Sequence, residues 1–183
     1  MISSDLRLNY LNTITKSLDE TNVNELEKLA KKLIDVRQKK GNVYIVGNGA
    51  SASISDHYAV DLTKMCGVSA RTFHSPGLIT CFSNDYGYEN WIAKAIEFYA
   101  GEKDLIILIS SSGESSNIIS AAKYCISKKI PLVSLTGFSN KNTLHQLNHS
   151  YGISVNLETS DYNVIESVHH IWLGIVTDAI SQQ

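Results

Sequence analysis

The chain has 183 residues, 43% of them hydrophobic, and 16 Lys and Arg against 18 Asp and Glu leave a formal charge of −2. That length fits one domain able to bury roughly 70% of its unfolded surface, and the near-neutral balance supplies no basic field for direct nucleic-acid binding. No apolar stretch approaches the about eighteen residues of a membrane span, the start MISSDLRLNY lacks a signal-peptide core, and Cys66, Cys81 and Cys125 show no CxxC spacing. The expectation is a cytoplasmic protein with reduced thiols and neither a membrane nor a nucleic-acid partner.

Residues 1–40 carry two helical stripes, Leu11, Ile14, Leu18 and then Val23, Leu26, Leu29, Ala30, Leu33, Ile34. Asn22 and Glu25 have capping-box spacing at the start of the second. Such an amphipathic pair can pack on its own domain or on another copy, and self-association is the expected use. From residue 41 onward strands alternate with helices. Strands are predicted over 43–46, 69–73, 105–109, 131–135 and 152–157, and helices over 51–64, 89–99, 115–128 and 163–180. This alternation predicts an α/β core, residues 41–183, with a parallel sheet covered on both faces and ligands at the carboxyl ends of the strands. The segment 84–88 reads as a polar turn, and His74, His145 and His149 fall in loop-like stretches without an evident role.

The most informative junction is the apolar run Leu105-Ile106-Ile107-Leu108-Ile109, which empties into Ser110-Ser111-Ser112-Gly113-Glu114-Ser115-Ser116. Five consecutive Leu and Ile residues read as a strand buried on both faces. The helical pattern that follows (Ile118, Ile119, Ala121, Ala122, Cys125, Ile126) places the serines where a helix begins and unpaired backbone N–H groups point outward. Hydroxyls at Ser110, Ser112 and Ser115 can add donors to phosphate oxygens, and Gly113 permits a sharp turn. One serine would suffice as a helix cap, whereas this loop holds five in seven residues. No Gly-Lys-Ser/Thr follows, so it is not a nucleoside-triphosphate loop. A second strand, loop and helix unit runs from Val43 through Gly47-Asn48-Gly49-Ala50-Ser51.

Four motifs in this order, GNGAS (47–51) with His57 beyond it, SNDYG (83–87), SSSGESSN (110–117) and LTG (135–137), give the chain its resemblance to the sugar isomerase (SIS) domain family. Within that family it resembles the phosphoheptose (sedoheptulose-7-phosphate) isomerases. The resemblance implies a three-layer α/β/α sandwich with a five-stranded parallel sheet, assembled as a homotetramer with shared sites, on a route to heptose-containing surface polysaccharide. It also implies substrate contacts for Asn48, Gly49, Ala50, Ser51, Asn84, Asp85, Ser110, Ser111, Ser112, Ser115 and Asn163.

Aldose–ketose isomerisation moves a proton between C1 and C2 through an enediol, and needs a base for the carbon-bound proton and an acid for the oxygens. His57 and Asp61, four apart, share a helix face, and Glu166, His169 and His170 form a second group. Adjacent helical residues point about 100° apart, so at most one of His169 and His170 faces a site. The catalytic candidates are therefore Glu166, Asp61, His57 and His169. At the positions of His57, Asp61, Glu166 and Gly174 the resemblance implies His, Glu, Gln and His, which in some members hold zinc; His57, Asp61 and Glu166 could supply three ligands here, although no cofactor is required. Asn163 and Glu166 also have capping-box spacing, which would give the glutamate a merely structural use. Alongside the enzyme stands the alternative of a catalytically inactive phosphosugar-binding protein with a regulatory or scaffolding role.

Overall fold

The computed structural model describes residues 2–182, so only the end residues of the expected 1–183 unit lie outside the described residues. Five strands, β1 (Val43–Gly47), β2 (Ala70–Thr72), β3 (Leu105–Ser110), β4 (Leu132–Thr136) and β5 (Ile153–Asn156), form one sheet in the order β2-β1-β3-β4-β5. Every pairing is parallel: Ile45 lies beside Thr72 and Ile107, Ile107 beside Val133, and Val133 beside Ile153.

Among the described residues eight helices surround the sheet: α1 (Ser4–Asp19), α2 (Val23–Gln38), α3 (Ala50–Cys66), α4 (Pro76–Tyr86), α5 (Trp91–Tyr99), α6 (Ser116–Lys128), α7 (Thr143–His149) and α8 (Tyr162–Ser181). The central strand shows why its sequence is apolar without alternation. Leu105, Ile107 and Ile109 pack with Leu29, Leu33, Leu62 and Trp172 of α2, α3 and α8, while Ile106 and Leu108 pack with Trp91, Ile96, Ile118 and Ala122 of α5 and α6. A period of two sends successive side chains into opposite apolar cores.

Two helices appear where the sequence suggested turns or loops. Pro76 opens α4, and Asn84 and Asp85 form its last turn before Gly87 at φ +85°. His145 and His149 ride on α7, whose cap Asn142 accepts from the His145 N–H at 2.8 Å. The start of α8 is also corrected. Asp161 is the cap, accepting from the N–H groups of Asn163 (2.9 Å) and Val164 (3.3 Å), so Asn163 lies inside the helix and the Asn163–Glu166 capping box does not form. Asn22 does cap α2, but the Glu25 carboxylate pairs with Lys28. No helix among the described residues is long and apolar enough to cross a membrane.

The strand order positions the site. From β1 the chain moves outward to β2 and then returns past β1 to β3, so the connections after β1 and β3 leave in opposite directions. At such a reversal a crevice opens at the carboxyl ends of the two strands.

Candidate active site

A cleft of about 180 Å³ occupies that crevice, lined by Asn48 and Ser51 from the β1–α3 loop, Ile109 to Ser112 and Ser115 from the β3–α6 loop, and Tyr162 and Glu166 from α8. Gly113, at φ +69°, makes the bend that returns the serine loop to α6, where an added Cβ would collide with the Asn142 side chain. The hydroxyls are oriented by the loop itself. Ser110 Oγ accepts from the Gly113 N–H and Ser112 Oγ from the Glu114 N–H, both at 3.2 Å. Each hydroxyl that accepts from backbone keeps its own hydrogen for an incoming anion. Ser111 Oγ is buried without a partner, and Ser115 caps α6 with no side-chain hydrogen bond. The first-turn N–H groups of α6 add donors and a positive helix end.

Glu114 would oppose an anion here, but it is turned aside. Its carboxylate takes the Thr143 N–H at 2.7 Å and the Thr143 hydroxyl at 2.8 Å, capping α7. This removes the one negative charge within the serine loop from the cleft.

At the other end, α8 supplies Glu166, whose carboxylate lines the cleft with no ion-pair partner among the described residues. One turn later, on the same face, comes His170. Its ring lies 4.9 Å from that of His57 on α3, and His57 Nε2 is 3.1 Å from the Asp61 carboxylate. Glu166, His170, His57 and Asp61 thus make a row of acid–base groups along the α3–α8 seam, leading out of the cleft.

His169 belongs to a different place, and the expectation of a catalytic role for it is corrected. It is fully buried, and its Nε2 lies 3.1 Å from the Thr136 carbonyl at the end of β4. A carbonyl only accepts, so Nε2 carries the proton, and Nδ1 is left without a partner. Burial pushes its pKa down to about 4, against the raising effect of the Thr136 bond. His169 is a neutral pin fastening α8 to the sheet, and His170 is the imidazole that faces outward.

The remaining sequence candidates divide. Gly49, the cap of α3, and Ala50, its first residue, are exposed between the lining residues Asn48 and Ser51. Asn84 and Asp85 hydrogen-bond to each other at 2.9 Å on α4 and do not line the cleft; their neighbour Tyr88 reaches it indirectly, its hydroxyl donating to Asn48 Oδ1 at 3.4 Å. Asn163 accepts from the Tyr10 hydroxyl through its backbone carbonyl (3.2 Å) and is not among the residues that line the cleft. Tyr162, which does line the cleft, was missed; its signal was its place at the helix start just beyond the last strand. Among the described residues no group of three or more His, Cys, Asp or Glu side chains is arranged to hold a metal ion. Of His57, Asp61 and Glu166, the first two lie against each other, His57 Nε2 being 3.1 Å from the Asp61 carboxylate, and Glu166 lines the cleft.

A larger groove of about 420 Å³ runs between α2 and α8, lined by Leu18, Leu26, Ile34, Trp172 and Ile175. Its walls are mostly apolar, with Thr21, Glu27 and Lys31 the exceptions, which suits a phosphosugar poorly.

Residues 8–137 match the SIS domain family. The chain is 37% identical over 130 residues to a phosphoheptose isomerase of Aneurinibacillus thermoaerophilus, a segment that spans 65% of this chain and 63% of that relative. It is 30% identical over 169 residues to a phosphoheptose isomerase of Fusobacterium nucleatum, covering 90% of this chain and 85% of the relative. The fold superposes on the phosphoheptose isomerase structure from Neisseria gonorrhoeae with a TM-score of 0.87 at 21% identity, over 94% of each chain.

Proposed function

This chain belongs to the SIS domain family, and from that premise we propose that it is a phosphosugar aldose–ketose isomerase acting on sedoheptulose 7-phosphate or a close relative. One observation carries the reading: a single cleft joins an anion-binding helix end to an unpaired carboxylate, Glu166. The relatives named phosphoheptose isomerase support the choice of substrate.

In this reading the serine loop and the α6 terminus hold the phosphate, which fixes the open-chain sugar along the cleft and brings its other end toward α8. Glu166 takes the proton from C1 of the ketose, giving an enediol, and returns it to C2 to form the aldose. The hydroxyl proton moves from O1 to O2, and the nearest groups that can carry it are His170 and His57, the latter held by Asp61. Each of these proton transfers is written with side chains of this chain alone.

Assembly into a homo-oligomer, a tetramer by resemblance, is supported by the exposed Leu8 and Leu11 on one face of α1 and by the apolar groove lined by Trp172 and Ile175. A cytoplasmic setting is supported by three free thiols.

The test is incubation with sedoheptulose 7-phosphate in deuterium oxide. Deuterium should enter C1 of the ketose or C2 of the aldose, even if turnover is slow. Binding without exchange across several sugar phosphates would instead establish the catalytically silent binder.

A further inference from the structure

The two substrate loops are tied to each other by a residue outside the cleft lining. Asn117, in the first turn of α6, is 1% exposed. Its amide and that of Asn48 form a reciprocal pair: Asn48 Nδ2 donates to Asn117 Oδ1 and Asn117 Nδ2 donates to Asn48 Oδ1, each at 3.0 Å. Asn117 Oδ1 also accepts from the Ile118 N–H at 3.0 Å, fixing which way its amide faces. The Tyr88 hydroxyl donates a second bond to Asn48 Oδ1.

We propose that Asn117 is a positioning residue that transmits phosphate occupancy of the α6 end to the sugar-facing loop at 47–51. Otherwise that loop is held by its own backbone, the Ala52 and Ser53 N–H groups donating to the Gly49 carbonyl at 3.0 and 3.2 Å. Gly49 sits at φ +56° and ψ −125°, a conformation open to glycine, and its N-cap position provides no side-chain bond to the start of α3. Gly47 is anchored behind it, its N–H reaching His74 Nε2 at 3.4 Å while His74 Nδ1 is held by Asp56 at 2.9 Å. The Asn48 side chain is consequently the main link between the loop's tip and the phosphate side of the crevice. An anion that orders the first turn of α6 orders Asn117, and through two parallel amide bonds it orders Asn48. The Asn48 side chain then works as a strut, leaving loop backbone to meet the sugar. This inference rests on the phosphosugar reading for its purpose, though its mechanics need only a phosphate.

The probe is therefore inorganic phosphate, with amide hydrogen exchange followed in wild type, Asn117→Ala and Asn48→Ala. Phosphate should slow exchange in both 110–117 and 47–51 of the wild type, by about tenfold in the second segment. In each variant the protection should stay in 110–117 and vanish from 47–51, and KM for sugar phosphate should change less than kcat. Should burial of position 117 prevent Asn117→Ala from folding, Asn48→Ala cuts the same pair from the more exposed side. Protection of 47–51 that survives in the variants, or protection confined to 110–117 in the wild type, overturns the coupling alone. Protection of neither segment in the wild type overturns the coupling together with the phosphate site, whereas absent deuterium exchange with normal coupling removes only the isomerase.

Discussion

The phosphate end of the cleft and its acid–base end are built from different materials. The serine loop is made of backbone N–H groups and short hydroxyls at the buried end of β3, its geometry set by Gly113 and by the hydrogen bonds that the Gly113 and Glu114 N–H groups donate to Ser110 and Ser112 Oγ. The acid–base row is made of long side chains on the α3–α8 seam, with His57 60% exposed at its outer end. The lesson is one of precision: binding a dianion tolerates no wandering donors, so its donors belong to the chain's own turn. Proton transfer instead needs groups that can change charge and sides of a bond, and helix-borne side chains allow that. His169 is the joint between the two regions, fastening the helix that carries Glu166 to the end of β4.

If this division holds, substitutions at the two ends will separate in kinetics. Glu166→Gln keeps the shape and removes the base, and it should lower kcat by about 10²–10⁴-fold while leaving sugar-phosphate affinity nearly unchanged. A rise in KM at constant kcat would show instead that Glu166 belongs to the binding end. Ser112→Ala combined with Ser115→Ala should do the reverse, weakening sugar-phosphate binding by about 3–4 kcal/mol, measured by calorimetry, with kcat at saturation largely retained.

The joint gives the third, smallest effect. His169 is neutral in the fold with a pKa of about 4, below its ordinary value of 6.5. Above pH 6.5 it is neutral folded and unfolded, so its contribution to stability is full. As the pH falls from 6.5 toward 4 the unfolded chain takes a proton that the fold refuses, and about 3 kcal/mol of stability is lost. Urea midpoints across this window should fall less steeply for His169→Gln than for the wild type, and parallel slopes would deny His169 this role.

How much could be read in advance differed by region for the same reason. The serine loop is contiguous, and strand, bend and helix are written in sequence order. The strands of the core announce themselves because both faces are buried. α4 did not, since it begins at Ser-Pro-Gly, ends at Asn-Asp, and has no fully buried residue to mark a face. α7 spans only seven residues rich in Asn and His. Glu166 was legible as an acidic candidate near the start of the last helix, but that helix is capped by Asp161 rather than Asn163, which frees the glutamate from the capping explanation.

The sequence by itself determined the parallel sheet, the serine loop at a helix start and the family, because these rest on local periodicity and on residues adjacent in the chain. Only the tertiary structure decided between His169 and His170, brought His57 against α8, turned Glu114 away from the cradle and paired Asn48 with Asn117. Each of these joins segments distant in the chain. Their geometry follows from how the helices settle on the sheet, and no local pattern records it.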